Sequence, residues 1–290
     1  AHWHERVPIA YGRSLASSCC AREYDVFHIG ASEHSAAIVS VDGVLCGLPD
    51  LTRRLILGGK RGRGPRPDFR PSGLAFPGLD AATPSALRRA VERCLAPVVT
   101  TVLGADIFRL PASSASSFLR VLTKPSSNWT STQLFPHIDY AASVAATFGL
   151  GDFNGTAVGF YAARGGLRSR TVLRDLGDVA EYKLRNLPRF ATDPLAAGGD
   201  SAVATRHFEL LLQRELRANR ALAYPAWLLH RAVVPEEAAQ RLSPDPEHGR
   251  LTLNLFYTTE DHPVRRGQAP GGEPSDEELR EYVAATSTSS

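Results

Sequence analysis

The chain has 290 residues, 43% of them hydrophobic, with 33 basic and 30 acidic side chains. That is enough apolar material to bury a sizeable core in a single domain. A net charge of only +3 argues against a general nucleic-acid or membrane-surface protein.

Along the first 50 residues, "YDVFHIG", "AAIVSV" and "GVLCGLP" read as short strands. Cys19, Cys20, Cys46 and Cys94 form no C-x-x-C pair, and adjacent cysteines make a poor disulfide framework. They read as reduced thiols in a cytoplasmic protein. Residues 58–73, "GGKRGRGPRPDFRPSG", carry too many prolines and glycines for a regular element and predict a surface loop.

A helix follows in "TPSALRRAVERCLAPVVTTVLG", with Thr83 as N-cap, Pro84 at the first helical position and Leu87, Val91, Cys94 and Leu95 on one apolar face. "FLRVLT", "SVAATFGL", "TAVGFYAA", "LAYPAWLLHRAVV" and "RLTLNLFYTT" read as strands. "DSAVATRHFELLLQRELRANR" reads as a helix capped by Asp200 or Ser201, and "SDEELREYVAAT" as a last helix opened by a Ser275–Glu278 capping box. No run approaches the roughly 18 apolar residues of a membrane helix, and "AHWHERVPIAYGRS" lacks the apolar centre of a signal peptide. The pattern predicts an α+β chain with a mainly β core. That core is a curled antiparallel sheet, a jelly roll, buttressed by helices.

The sharpest chemical signal is "PHIDY". On a strand, residues i and i+2 share a face, so His137 and Asp139 present an imidazole and a carboxylate side by side. A divalent ion then needs a third ligand from elsewhere. His230, in the apolar "AYPAWLLHRAVVP", stands where a buried histidine needs a reason. Two histidines and one carboxylate form the facial triad of non-heme Fe(II) oxygenases. Downstream, Arg250 and Thr252 again sit at i and i+2 in "GRLTLNLFY", a guanidinium beside a hydroxyl that suits a small carboxylate. Asn254 shares their strand face. A second H-x-acid, His207 and Glu209, lies in the segment read as helix, where i and i+2 diverge by about 200°. The G-x-S-x-G elbow, the P-loop and G-x-G-x-x-G are all absent.

With these elements in this order, the sequence resembles the Fe(II)/2-oxoglutarate-dependent oxygenase superfamily. "PHID", "DFNGTAVGFY", "LLHRAVVP" and "GRLTLNLFY" carry the resemblance, which covers residues 106–260. It implies a double-stranded β-helix in which His137, Asp139 and His230 hold Fe(II). It also implies 2-oxoglutarate held by Arg250 and Thr252, with Asn254 helping to orient it, and ascorbate as the reductant in vitro. The sequence departs from the family pattern at Asn154, where many members have glycine, and in a longer interval between His230 and Arg250. The implied partners are O2 and a small-molecule substrate, such as an amino acid or natural product, with neither nucleic acid nor membrane. A carboxylate at position 139 favours hydroxylation or a related oxidation over halogenation. Trp129, Gln133, Tyr140, Tyr161, Arg168 and Arg170 are candidates to face the substrate. The implied organisation is one oxygenase domain over 1–290. It comprises an N-terminal extension (1–105), the catalytic core (106–260) and a C-terminal helix and tail (261–290). Two alternatives remain: a cupin-type metal enzyme that does not use 2-oxoglutarate, and a non-catalytic binding module of the same fold.

Overall fold

The computed structural model describes residues 3–11, 18–30, 35–57, 67–72, 78–107, 109–110, 114–124, 135–140, 142–164, 173, 176–186, 207–259 and 275–287. Twelve strands appear among them: β1 (Trp3–Pro8), β2 (Glu23–Ile29), β3 (Ala36–Asp42), β4 (Arg70–Pro71), β5 (Gly78–Ala82), β6 (Ala115–Leu122), β7 (Val144–Gly149), β8 (Ala157–Ala163), β9 (Phe208–Glu215), β10 (Arg220–Pro225), β11 (His230–Val233) and β12 (Arg250–Tyr257). The helices are α1 (Leu48–Thr52), α2 (Ser85–Leu103), α3 (Leu176–Ala180), α4 (Glu236–Ala239) and α5 (Asp276–Ser287), with π-helical turns at Arg53–Leu57 and Glu181–Asn186.

All the strand pairings are antiparallel. One sheet has the order β1-β2-β3-β10-β7-β12-β6-β5-β4, and the other the order β11-β8-β9. Strand alternation decides what each face of the large sheet meets. On β12, Leu251, Leu253, Leu255 and Tyr257 enter a core cluster with Leu87, Val91, Cys94 and Leu95 of α2. Arg250, Thr252, Asn254 and Phe256 therefore point the other way, toward the small sheet. There Leu222 and Tyr224 of β10 and Ala145 of β7 pack with Val158 and Phe160 of β8. The polar residues of β12 thus line the space between two sheets, a place where side chains need partners.

Several expectations are met. α2 buries the four predicted apolar positions, and Ser275 and Glu278 exchange their capping bonds at 2.7 and 3.2 Å. No helix among the described residues is long and apolar enough to cross a membrane. Others are corrected. α2 starts at Ser85 with Pro84 in the N-cap position and no side-chain cap, and the Thr83 hydroxyl is buried without a partner among the described residues. The "GVLCGLP" strand is instead a turn leading into α1, with Gly47 left-handed at φ 66°. "LAYPAWLLHRAVV" is two strands, not one: Leu228 N–H bonds back to the Pro225 carbonyl, and the chain crosses from the large sheet to the small one. The leucines of "HFELLLQRE" form β9, paired to β8, where a helix was expected. A short apolar run fits either period, and the free edge of β8 decided for the strand. Of the expected 58–73 loop, residues 58–66 and 73 lie outside the described residues, and Arg70–Pro71 pairs with β5 as a short strand.

The cysteines are corrected most sharply. Cys19 is bonded to Cys94 (Cα–Cα 5.4 Å) and Cys20 to Cys46 (5.0 Å). Cys19 sits in extended backbone, bridged to Leu45. Neighbouring side chains on an extended chain point to opposite sides. Adjacency therefore sends each thiol to its own partner, and the ground for a cytoplasmic assignment is gone.

Asp42, at the end of β3, accepts from Arg220 Nη2 at 2.7 Å and from Arg217 Nη2 at 3.0 Å. Burial pushes Asp42 upward, but Arg220 and then Arg217 outweigh it and hold the carboxyl below its ordinary value. The stabilisation this gives is present above the unfolded-state value of about 4 and is lost as pH falls through the lower folded value. Asp42→Asn also leaves the buried Arg220 without a carboxylate. Urea unfolding should therefore show a lower midpoint than wild type at pH 7 and a narrower gap at pH 3. Equal midpoints at both pH values would contradict this.

Candidate metal centre

Pro136 leads into a single strand-like bridge at His137. The His137 N–H donates to the His230 carbonyl and the His230 N–H to the His137 carbonyl, both at 2.9 Å. The Asp139 N–H donates to the Ala226 carbonyl at 2.8 Å, and the Asp139 carbonyl accepts from the Ala142 N–H at 3.1 Å. This pairing puts the side chains of His137, Asp139 and His230 in one place, with ligand-type atoms all within 4.8 Å of one another. Asp139 Oδ2 lies 3.3 Å from His230 Nε2.

The imidazoles are oriented from behind. His230 Nδ1 lies 2.8 Å from the Leu228 carbonyl, and His137 Nδ1 3.4 Å from the Phe135 carbonyl. A carbonyl can only accept, so each Nδ1 donates to it and each Nε2 is the ring atom left to face the cluster. This is the outer support that metal-binding histidines have. Burial, with repulsion from His230, lowers His137 to about 4, so it is neutral near pH 7. Burial pushes Asp139 upward, but His230 above all, then His137 and Arg120, hold it below its ordinary value and ionised. Two imidazoles and one carboxylate are the donor set of a facial-triad iron site. Cis ligands about 2.1 Å from an ion lie about 3 Å apart, so only a modest closure separates this group from coordination.

Arg250 reaches the same inter-sheet space from the far end of β12. It is buried, and its Nε donates to Thr156 Oγ1 at 2.9 Å. Burial, then repulsion from Arg120, brings it down to about 10, still protonated at neutral pH. Among the described residues no carboxylate pairs with it. Arg120, in contrast, is neutralised by Asp80 through bonds of 2.7 and 2.8 Å. A buried guanidinium without a counter-charge is costly unless an anion joins it. The Thr252 hydroxyl donates to the Arg120 carbonyl at 3.4 Å and accepts from Asn254 Nδ2 at 3.2 Å. The hydroxyl on the guanidinium is thus that of Thr156, while Thr252 and Asn254 form a ladder beside it.

The candidate substrate residues fare differently. Trp129, Gln133, Arg168 and Arg170 lie outside the described residues. Tyr140 is half-buried; its carbonyl accepts from Trp227 Nε1 at 3.4 Å and its ring lies under Lys183. Phe160 is the β8 residue paired with His230. Its neighbour Tyr161 therefore faces away from the metal-type group, where its hydroxyl accepts from Arg231 Nε at 3.1 Å. Glu209 lies in β9, which begins at Phe208 directly after His207, so the pair does not share a helix and the angular reason for setting it aside fails. Another reason replaces it: the one group of three metal-type ligands among the described residues is the His137 set.

Sequence reasoning missed Tyr224, whose ring centre lies 4.7 Å from that of His230 and 5.1 Å from that of Phe160. Its hydroxyl is pushed far up by burial and then by Asp139, so it stays protonated. Its place opposite the second histidine follows from sheet packing, and no motif announces it.

A family model described as "Family of unknown function (DUF6445)" matches residues 60–257. No curated protein matches the sequence. Among solved structures the chain is similar to the non-heme alpha-ketoglutarate-dependent epimerase SnoN from nogalamycin biosynthesis. Identity is 14% and the TM-score 0.39, over 82% of this chain and 89% of that one. It is also similar to HygX from Streptomyces hygroscopicus with nickel and 2-oxoglutarate bound, at 16% identity and TM-score 0.36 over 83% and 93% of the two chains. HygX with hygromycin B also bound gives 15% and 0.36 over the same shares. Likeness at this distance transfers no residue's role, and the site is read from its own geometry.

Proposed function

Because the chain belongs to the family of unknown function DUF6445, its activity must be argued from its own residues, and we propose a non-heme Fe(II)- and 2-oxoglutarate-dependent oxygenase acting on a small molecule. The observation that carries this reading is the convergence of His137, Asp139 and His230 within 4.8 Å. The order β6-β12-β7-β10 facing β11-β8-β9, with the His137 bridge on the edge of β11, supports a jelly roll of two sheets. In this reading residues 106–260 form the catalytic core of a single domain, and the N-terminal strands extend its larger sheet.

His137 and His230 offer Nε2 atoms, and Asp139 offsets part of the ion's charge. Iron with bound 2-oxoglutarate supplies the oxidising power for attack on an unactivated C–H bond. The chain's task is to hold, orient and keep dry. Arg250, fixed by Thr156, anchors the far carboxylate of the cosubstrate. Tyr224 and Phe160 close the space behind His230 against water.

The test is anaerobic titration of 2-oxoglutarate into the Fe(II)-loaded protein, read by the visible charge-transfer band of the chelate. Wild type should develop the band. Arg250→Ala should bind 2-oxoglutarate about thirtyfold more weakly, or about 2 kcal/mol, the scale of a lost charge-assisted bond. Metal uptake with no response to 2-oxoglutarate would point instead to a cupin-type enzyme with a different cosubstrate. No metal uptake at all would leave a binding module.

A further inference from the structure

Two successive residues of the π-helical turn Glu181–Asn186 contact the two flanks of the His137–Asp139 segment. The Tyr182 hydroxyl donates to the carbonyl of Pro136, the residue before His137. The Lys183 ammonium lies 4.7 Å from the ring centre of Tyr140, the residue after Asp139. The segment between has little regular structure of its own. A single bridge holds His137, and one backbone bond to Ala226 holds the Asp139 amide.

Tyr182 is suited to fixing such a segment. It is 2% exposed, in the core cluster that also holds Phe135 and Ile138. Phe208 stands edge-on to its ring, with centres 6.5 Å apart. Burial pushes its hydroxyl far up, so the phenol remains a donor at any working pH. Pro136 has no N–H, which leaves its carbonyl as the only main-chain polar group by which it can be held. The turn itself is braced, because α3, which runs directly into it, packs against α5. Single π-helical turns recur at functional sites, where they aim a side chain that an α-helix would misplace.

We propose that Tyr182 is a positioning residue for the metal ligands: through the Pro136 carbonyl it sets the backbone from which His137 and Asp139 project. The proposal rests on the metal-centre reading above. Without the hydroxyl, a buried carbonyl loses its donor and the segment turns to find another. The ligand atoms, already spread over 4.8 Å, then close on an ion less readily.

The test is Co(II) titration of the full chain, followed by the visible d–d absorption of the bound ion. Tyr182→Phe should weaken Co(II) binding about 10- to 100-fold, the usual effect of losing an outer support of a metal site, and change the band shape. Tyr257→Phe is the control. Its hydroxyl is also buried and bonds to Glu92 at 3.2 Å, but on the α2 side of the sheet, so Co(II) affinity should stay at the wild-type value. If Tyr182→Phe is too unstable to titrate, the rise in melting temperature on adding saturating Co(II) replaces the titration, and it should be smaller than in wild type. Wild-type affinity and spectrum in Tyr182→Phe, or an equal thermal shift, would overturn the proposal alone. A wild-type protein that takes up no Co(II) would overturn the metal-centre reading first, and this proposal with it.

Discussion

Replacing His137 with alanine should reduce divalent-metal affinity by well over 100-fold and abolish 2-oxoglutarate turnover, while leaving the protein folded. The size of the effect follows from the donor count. Loss of an outer partner costs 10- to 100-fold, and loss of one ligand in three costs more. The fold should survive because the bridge at this position is made by main-chain atoms. Both 2.9 Å bonds between His137 and His230 use backbone N–H and carbonyl groups that alanine also has. The side chain is neutral at pH 7, so its removal strands no buried charge. Asp139→Asn and His230→Ala should behave alike in metal content, measured after dialysis against Co(II). Unchanged metal content in the His137 variant would sink the triad and everything derived from it.

The second large effect concerns the disulfides. Opening Cys19–Cys94, which spans 75 residues, should cost about 4.5 kcal/mol, and opening Cys20–Cys46, which spans 26, about 3.5 kcal/mol, from the entropy that each loop withholds from the unfolded chain. The first bond has a structural consequence as well. Cys94 lies on the face of α2 that packs behind Leu251, Leu253 and Leu255 of β12, the strand whose other face carries Arg250. Cys19 and Cys94 are fully buried, so their serine variants also place hydroxyls in an apolar cluster. Urea unfolding of the Cys19→Ser/Cys94→Ser pair should show the larger loss, and the native protein should have no titratable thiols before denaturation and reduction. Four reactive thiols, with wild-type midpoints in the variants, would refute both cross-links. Persistent disulfides imply maturation in an oxidising compartment.

The misreadings share a cause. The leucines of the β9 segment "HFELLLQRE" fit a helical spacing, but three adjacent leucines fit a strand equally well. Its partner β8 lies some 45 residues earlier in the chain, beyond the reach of local pattern. "LAYPAWLLHRAVV" looked continuous because its apolar run is continuous, yet the chain turns at Pro225 to serve two sheets. The cysteines misled for the opposite reason. Adjacency makes Cys19 and Cys20 a poor disulfide framework on paper, and only the extended backbone there shows that they face apart.

By itself the sequence determined the antiparallel β character of the chain, the apolar face of α2, the capping box of α5 and the candidate triad. The strands, the helix face, the capping box and the H-x-D pair are written in short-range spacing, whereas His230 joins the triad from 93 residues away through its apolar surroundings and the order of elements. Only the tertiary structure decided that Arg250 rests on Thr156 with no carboxylate opposite among the described residues, that Tyr224 stands beside His230, that Tyr161 faces away and that Tyr182 holds Pro136. Those relations depend on which strand faces which across the space between two sheets. That is set by the simultaneous burial of residues far apart in the chain, and no local period encodes it.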